Sequence, residues 1–209
     1  MRLPRTVRAA FACGLAVVSS VVLLSLPASA SIMRFLSIEE LGGRSTEVVR
    51  ARITGQTVHW TANHEGIYTE VNAVVTGDIK GAPGRPAAPG GAGRRVTIIQ
   101  AGGEIDGVSL DWSGRPTFSP GEDLVLFLRP YDETNQADPR LLVVGGKQGR
   151  MRVVSDPNGG SEMMVERDLV GVLDAPFIEG DEPIGPAPRR DLVSLEELSR
   201  RVRPAGGPR

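Results

Sequence analysis

His59, Trp60, His64 and Glu65 form the only histidine-bearing cluster in the chain. Two imidazoles and a carboxylate could hold zinc or copper. The H-x4-H spacing on a loop matches no closed metal site, however, and there is no third histidine. A serine or threonine nucleophile would need a histidine base and a carboxylate to orient that base. No G-x-S-x-G element occurs, and neither histidine adjoins a plausible serine. Glu104, Asp106 and Asp111 could serve glycoside chemistry only as a pair across a cleft, and in sequence they read as solvated turn residues. No catalytic residue, cofactor or metal is therefore assigned, and His59, His64 and Glu65 stand as the metal candidates. Aromatic rings offer a different chemistry: Trp60, Tyr68 and Tyr131 could stack on a sugar or peptide if they surface together, with Trp112 expected in the core.

The elements that must position these residues read as strands. In 47–54, Val49, Ala51 and Ile53 alternate with Val48, Arg50 and Arg52, the period of a half-buried strand, and Gly55 marks a bulge before Val58-His59-Trp60. A second strand spans 67–79, with Ile67, Thr69, Val71, Ala73 and Val75 on one face, so 61–66 is a hairpin loop carrying His64 and Glu65. Further strands are expected at 96–99, 108–112, 124–128, 141–144, 151–154 and 163–165. The run LVLFL at 124–128 is apolar throughout and should be the most buried. Gly102-Gly103 and Gly145-Gly146 read as hairpin turns. Ser37 and Ser194 each precede a glutamate by three residues, the capping-box spacing. They predict a short helix ending at Gly42-Gly43 and another through about Val202, whose Leu195, Leu198 and Val202 form one stripe for docking on its own domain or, as the alternative, on a partner.

Arg2, Arg5 and Arg8 precede an acid-free apolar run, 11–26, and Ala28-Ser29-Ala30 ends it as a cleavage site would; 1–30 is read as a secretory signal peptide. The run is shorter than the roughly twenty residues a membrane span needs, and no later stretch approaches that length, so no span is expected after cleavage. Three of the 24 basic residues and none of the 25 acidic ones lie in the leader, which leaves 21 against 25, a charge of about −4 that disfavours nucleic acid as a partner. Cys13, the single cysteine, also lies in the leader, so the mature chain has neither a disulfide nor a thiol nucleophile. With 26 glycines and 16 prolines, many short strands joined by turns are favoured over long helices, as in a β-barrel or sandwich. The expected organisation is a β domain over 31–174 with a Gly/Pro-rich flexible loop at 81–94, a Pro-rich linker at 175–190, and a short helix with a frayed tail at 191–209.

Motif order adds a resemblance. The S-x-E-E-L helix, the V-x-A-x-I strand, T-G-D-I-K-G, G-G-E-I-D-G, R-P-T-F-S-P-G-E-D-L-V-L-F-L and G-K-Q-G-R-M-R-V, spanning 37–154, resemble a class of uncharacterised exported bacterial proteins. The helix and long hairpin closing in I-K-G look like the netrin-like, oligonucleotide/oligosaccharide-binding (OB) barrel of the tissue inhibitors of metalloproteinases. The resemblance implies a mainly β fold: an OB-like barrel of short antiparallel strands with an N-terminal and a C-terminal helix. Those inhibitors chelate zinc through an N-terminal, disulfide-locked cysteine. Cleavage here would expose Ser31 instead, so that mechanism does not carry over. Within the most recognisable block, Pro116 and Gly121 bracket Phe118 so as to pin the ring into a barrel end, and Glu122 is placed to accept backbone N–H bonds from the preceding turn. The function expected is an exported, periplasmic or secreted, non-enzymatic binding protein for an envelope or extracellular protein or saccharide. The alternatives are a metal-dependent or simple hydrolase centred on His59 and His64, or an inhibitor of an exported protease.

Overall fold

Strand β2 (Glu47–Trp60) and strand β3 (Ile67–Lys80) form a hairpin of two 14-residue strands, paired from Val48↔Lys80 to Trp60↔Ile67. The hairpin belongs to a computed structural model that describes residues 33–81, 93–135, 137–170, 172–173 and 190–203. The leader 1–30, most of the 81–94 loop and nearly all of the linker 175–190 lie outside the described residues. Register shifts near Val48, Arg50 and Ile53 bend the hairpin, the last of them at the expected Gly55 bulge.

The fold is mainly β, built on a closed five-stranded barrel with OB-like strand order. Strand β3 pairs with β4 (Arg95–Ala101), β4 with β8 (Leu141–Val143), β8 with β7 (Asp123–Pro130), and β7 returns to β2. All these pairings are antiparallel except β4 with β8, which meet in parallel at Ile98↔Leu141. The expectation of short antiparallel strands thus needs amending in length for β2 and β3 and in direction for this one seam.

Strand β7 also explains its own sequence. Its far edge is divided: Leu124–Leu126 pair with β9 (Arg150–Ser155), while Leu128–Pro130 pair with β8. From β9 the sheet continues outside the barrel through β10 (Met163–Asp168) to β12 (Arg190–Ser194). Leu124, Leu126 and Leu128 fill the barrel with Val49, Ala51, Ile53, Val71, Ile98 and Phe118. Val125 and Phe127 face the other way, into a second core with Ile38, Leu41, Met151, Val165, Leu198 and Val202. A strand buried on both faces has no place for alternation, and each such side chain contributes roughly 1.5–3 kcal/mol.

Two helices cover that second core. Helix α1 (Ile38–Arg44) opens on the expected capping box: Ser37 Oγ accepts from Glu40 N at 3.1 Å, and Glu40 Oε2 accepts from Ser37 N at 2.9 Å. It continues past the predicted glycine stop to Arg44. Gly42 is the contact point with helix α2 (Leu195–Val202), where a Cβ would lie 3.2 Å from Val202 Cβ. Leu198 and Val202 are buried and Leu195 packs beside them, so the α2 stripe docks on its own domain as its spacing predicts. The residues before α2 carry an element not assigned from sequence: Arg190–Ser194 makes strand β12 against β10.

The chain entering the barrel is anchored by two buried polar side chains. Gln148 Oε1 accepts Leu36 N–H at 2.8 Å, and its Nε2 donates to Arg34 O at 2.8 Å. Arg167, 1% exposed, donates to Leu36 O at 2.7 Å and to Asp191 Oδ2 at 2.6 Å, with its guanidinium 5.0 Å from the centre of the Phe35 ring. Burial pulls the Arg167 pKa below its ordinary value, against the attraction of Asp191. The short strands β1 (Met33–Arg34) and β11 (Val172–Leu173) pair in parallel beside this anchor.

Phe118 is 5% exposed at the barrel core, and Glu122 Oε2 accepts Ser119 N–H at 2.8 Å while its other oxygen takes Arg150 at 2.6 Å, the roles their spacing suggested. The double glycines behave differently. Gly102 and Gly103, both at positive φ, kink the chain between β4 and β5 (Gly103–Ile105), and the hairpin turn comes later, at Asp106-Gly107 before β6 (Val108–Leu110). Gly145-Gly146 leads not into a hairpin but into a 3-10 turn, Gly146–Gly149, that carries Gln148.

Candidate functional site

The tip of the β2–β3 hairpin gathers five of the residues singled out from the sequence, His59, Trp60, His64, Glu65 and Tyr68. His59 and Tyr68 are directly opposed across the strands, and their rings stack with centroids 5.2 Å apart and planes inclined by 25°. Trp60, next along β2, lies 5.8 Å from the His64 ring at a tilt of 31°. The loop between them is closed by Thr61, whose hydroxyl accepts Gly66 N–H at 2.9 Å, and by Asn63 donating to Glu65 at 2.5 Å. The two imidazoles therefore face different rings, and Glu65 is held by Asn63. Among the described residues no group of three His, Cys, Asp or Glu side chains is arranged to hold a metal ion.

Tyr131 lies in the loop after β7. It is 44% exposed, and the Arg140 guanidinium lies 4.7 Å from its ring centre. Asp138 grips Arg140 through bonds of 2.9, 3.1 and 2.7 Å, which holds the Asp138 carboxyl below its usual range and raises Arg140.

A short ribbon, β5–β6, leans on the same tip. Trp60 Nε1 donates to Asp106 Oδ2 at 3.0 Å, which fixes the indole against the ribbon's turn. Gly103 sits so close to β2 and β3 that a Cβ there would be 2.8 Å from both Val58 Cγ1 and Thr69 Oγ1. Asp106 and Gly107 have φ of 52° and 76°, the positive values a two-residue type I′ turn demands. Two of the three carboxylates considered for glycoside chemistry are thus occupied, Asp106 by Trp60 and Asp111 by Arg115 at 2.7 Å and its neighbour's backbone N–H, which keep the Asp111 pKa low, while Glu104 is exposed. Trp112 corrects the expectation of core duty. It is 42% exposed, with its indole N–H 3.3 Å from Ala101 O.

Of the groups that orient the rings, Asp106 reads from sequence only as a turn carboxylate, and Arg140 is not among the sequence candidates. Asp-Gly between two short apolar runs carries the turn signal that places Asp106; nothing comparable marks Arg140, which reaches Tyr131 only through the folding of the loop. No model of a known protein family matches the chain, and no curated protein matches it.

Proposed function

We propose that this protein is an exported, non-enzymatic binding domain that engages a protein or saccharide of the cell envelope or surrounding medium through Trp60, Tyr68 and Tyr131. The observation that carries this reading is the way the rings are held. Each is partly exposed, and each is fixed by a group that would otherwise be free for chemistry: Asp106 on Trp60, His59 on Tyr68, Arg140 on Tyr131. Rings immobilised before a ligand arrives lose little entropy on binding, and their faces suit a sugar ring or a peptide side chain. Ligand contact across one barrel face and its loops is also a common use of OB-like barrels. The leader at 1–30 supports export.

Capture experiments on envelope and culture-medium fractions, run beside a glycan array, test the proposal. A partner or glycan retained by the wild-type protein should be lost at least about tenfold on Trp60→Ala, since a central aromatic truncation removes upward of about 1.4 kcal/mol of binding. Retention that ignores Trp60, or substrate turnover in a hydrolase screen that is lost on His59→Ala or His64→Ala, would overturn it.

A further inference from the structure

The β5–β6 ribbon that orients Trp60 is itself unfinished. Val108 and Leu110 are 48% and 45% exposed, although they alternate along a strand as core residues do. The pairs Ile105↔Val108 and Gly103↔Leu110 place them on the ribbon face that Gly103 turns toward Val58. An apolar surface therefore runs from the barrel outward along the ribbon and ends in water. The backbone is unfinished too. In a hairpin closed by a two-residue turn, the pair flanking the turn exchanges the narrow hydrogen bonds and the next pair does not. Glu104↔Ser109 is that next pair, so the N–H and C=O of Ser109 point away from β5, along an edge that pairs with no strand among the described residues.

We infer that β6 accepts, as a third strand, an extended segment of a protein partner with apolar side chains at alternate positions and basic residues at its ends. This rests on the binding role proposed above and deepens it, since strand addition selects a protein over a saccharide. Strand addition supplies main-chain hydrogen bonds at Ser109, and the incoming alternate side chains lie against Val108 and Leu110. Charge decides the flanks. Glu104, Asp106 and Asp111 are all exposed around the edge, and Arg115 answers only Asp111. The same charges disfavour a second copy of this chain, because a two-fold pairing centred on Ser109 would bring the acidic Asp106 and Asp111 of both molecules to one shared edge.

A phage-displayed library of random peptides, panned against the full purified protein, supplies the probe. Enriched peptides should alternate apolar residues between lysines or arginines, weaken with added salt, and protect the Ser109 amide from hydrogen exchange. Ser109→Pro removes the outward N–H without touching the β5 ladder, a position where an edge strand tolerates proline, and should weaken the selected peptides at least about tenfold. Leu110→Thr, which keeps a strand-forming residue, should weaken them as well. Peptides that bind Ser109→Pro and wild type alike, or no enrichment, would overturn the inference while leaving capture through Trp60 intact. Self-association of the wild type that disappears in Ser109→Pro would overturn it in favour of a second copy.

Discussion

The helix-backed side of the barrel and the hairpin end hold similar polar groups in opposite circumstances. Beneath α1 and α2, Gln148 and Arg167 are buried and hold the backbone of residues 34–36, so chain entry and sheet flange cannot separate without stranding charge. At the hairpin end Asp106 holds the Trp60 indole, and in the loop after β7 Arg140, gripped by Asp138, lies over the ring of the exposed Tyr131. The apolar residues divide the same way: Val125 and Phe127 vanish under the helices, whereas Val108, Leu110 and Trp112 stay exposed. Under the proposed binding role, the difference separates stability from recognition: one side holds the fold together, the other leaves surface to which a partner can be added.

Arg167→Met gives the largest expected break in that contrast. It leaves the Leu36 carbonyl without its donor and Asp191, 26% exposed, without its cation. Removing one member of a buried pair costs about 3 kcal/mol when the remaining charge can partly rehydrate, as here. Chemical denaturation should show that loss, and a loss below about 1 kcal/mol would mean that the entry segment is held by its apolar contacts alone.

How much of this contrast can be read from the sequence follows from the physics of each part. The hairpin, the two-faced β7 strand, both capping serines and the Phe118–Glu122 block are written in local periodicity and spacing, and they fold where those signals put them. Strand β12 is not, because Arg190–Ser194 has no apolar alternation strong enough to stand alone and becomes a strand only by pairing with β10. The position of Trp112 fails for a related reason. Alternation in V-S-L-D-W announces a strand with a buried face, yet the ribbon has only two strands and, among the described residues, nothing covers Val108, Leu110 and Trp112. The stacking of His59 on Tyr68 follows from hairpin register, whereas Arg140 on Tyr131 depends on a loop whose course no spacing rule supplies.

A smaller effect belongs to the surface clasp between the helices. Arg201 bonds Glu39 at 2.5 and 3.1 Å and holds its pKa at about 2, against 4.5 for a free glutamate. A lowered carboxylate pKa stabilises the fold above the unfolded value and loses that contribution as pH falls through the folded one. The clasp should therefore be intact above pH 4.5 and lost between there and about 2. Both side chains are substantially solvated, so the contribution at neutral pH is about 0.5 kcal/mol. Thermal unfolding measured against pH should show a shallower acid decline for Glu39→Gln than for wild type; equal slopes would place the acid sensitivity in another carboxylate.

The smallest expected effect on stability is also the sharpest test of the comparison. Leu110→Thr removes apolar surface that is already 45% exposed, at a strand position where threonine is well tolerated. If the ribbon were part of the barrel's core, the substitution would act as a large-to-small change and cost about 2 kcal/mol or more. If Leu110 serves a partner instead, denaturation should move by less than about 0.5 kcal/mol, while the selected peptides lose affinity. Stability that holds while binding falls assigns the exposed leucine to recognition. A loss in both would return the ribbon to the side of the molecule that holds itself together.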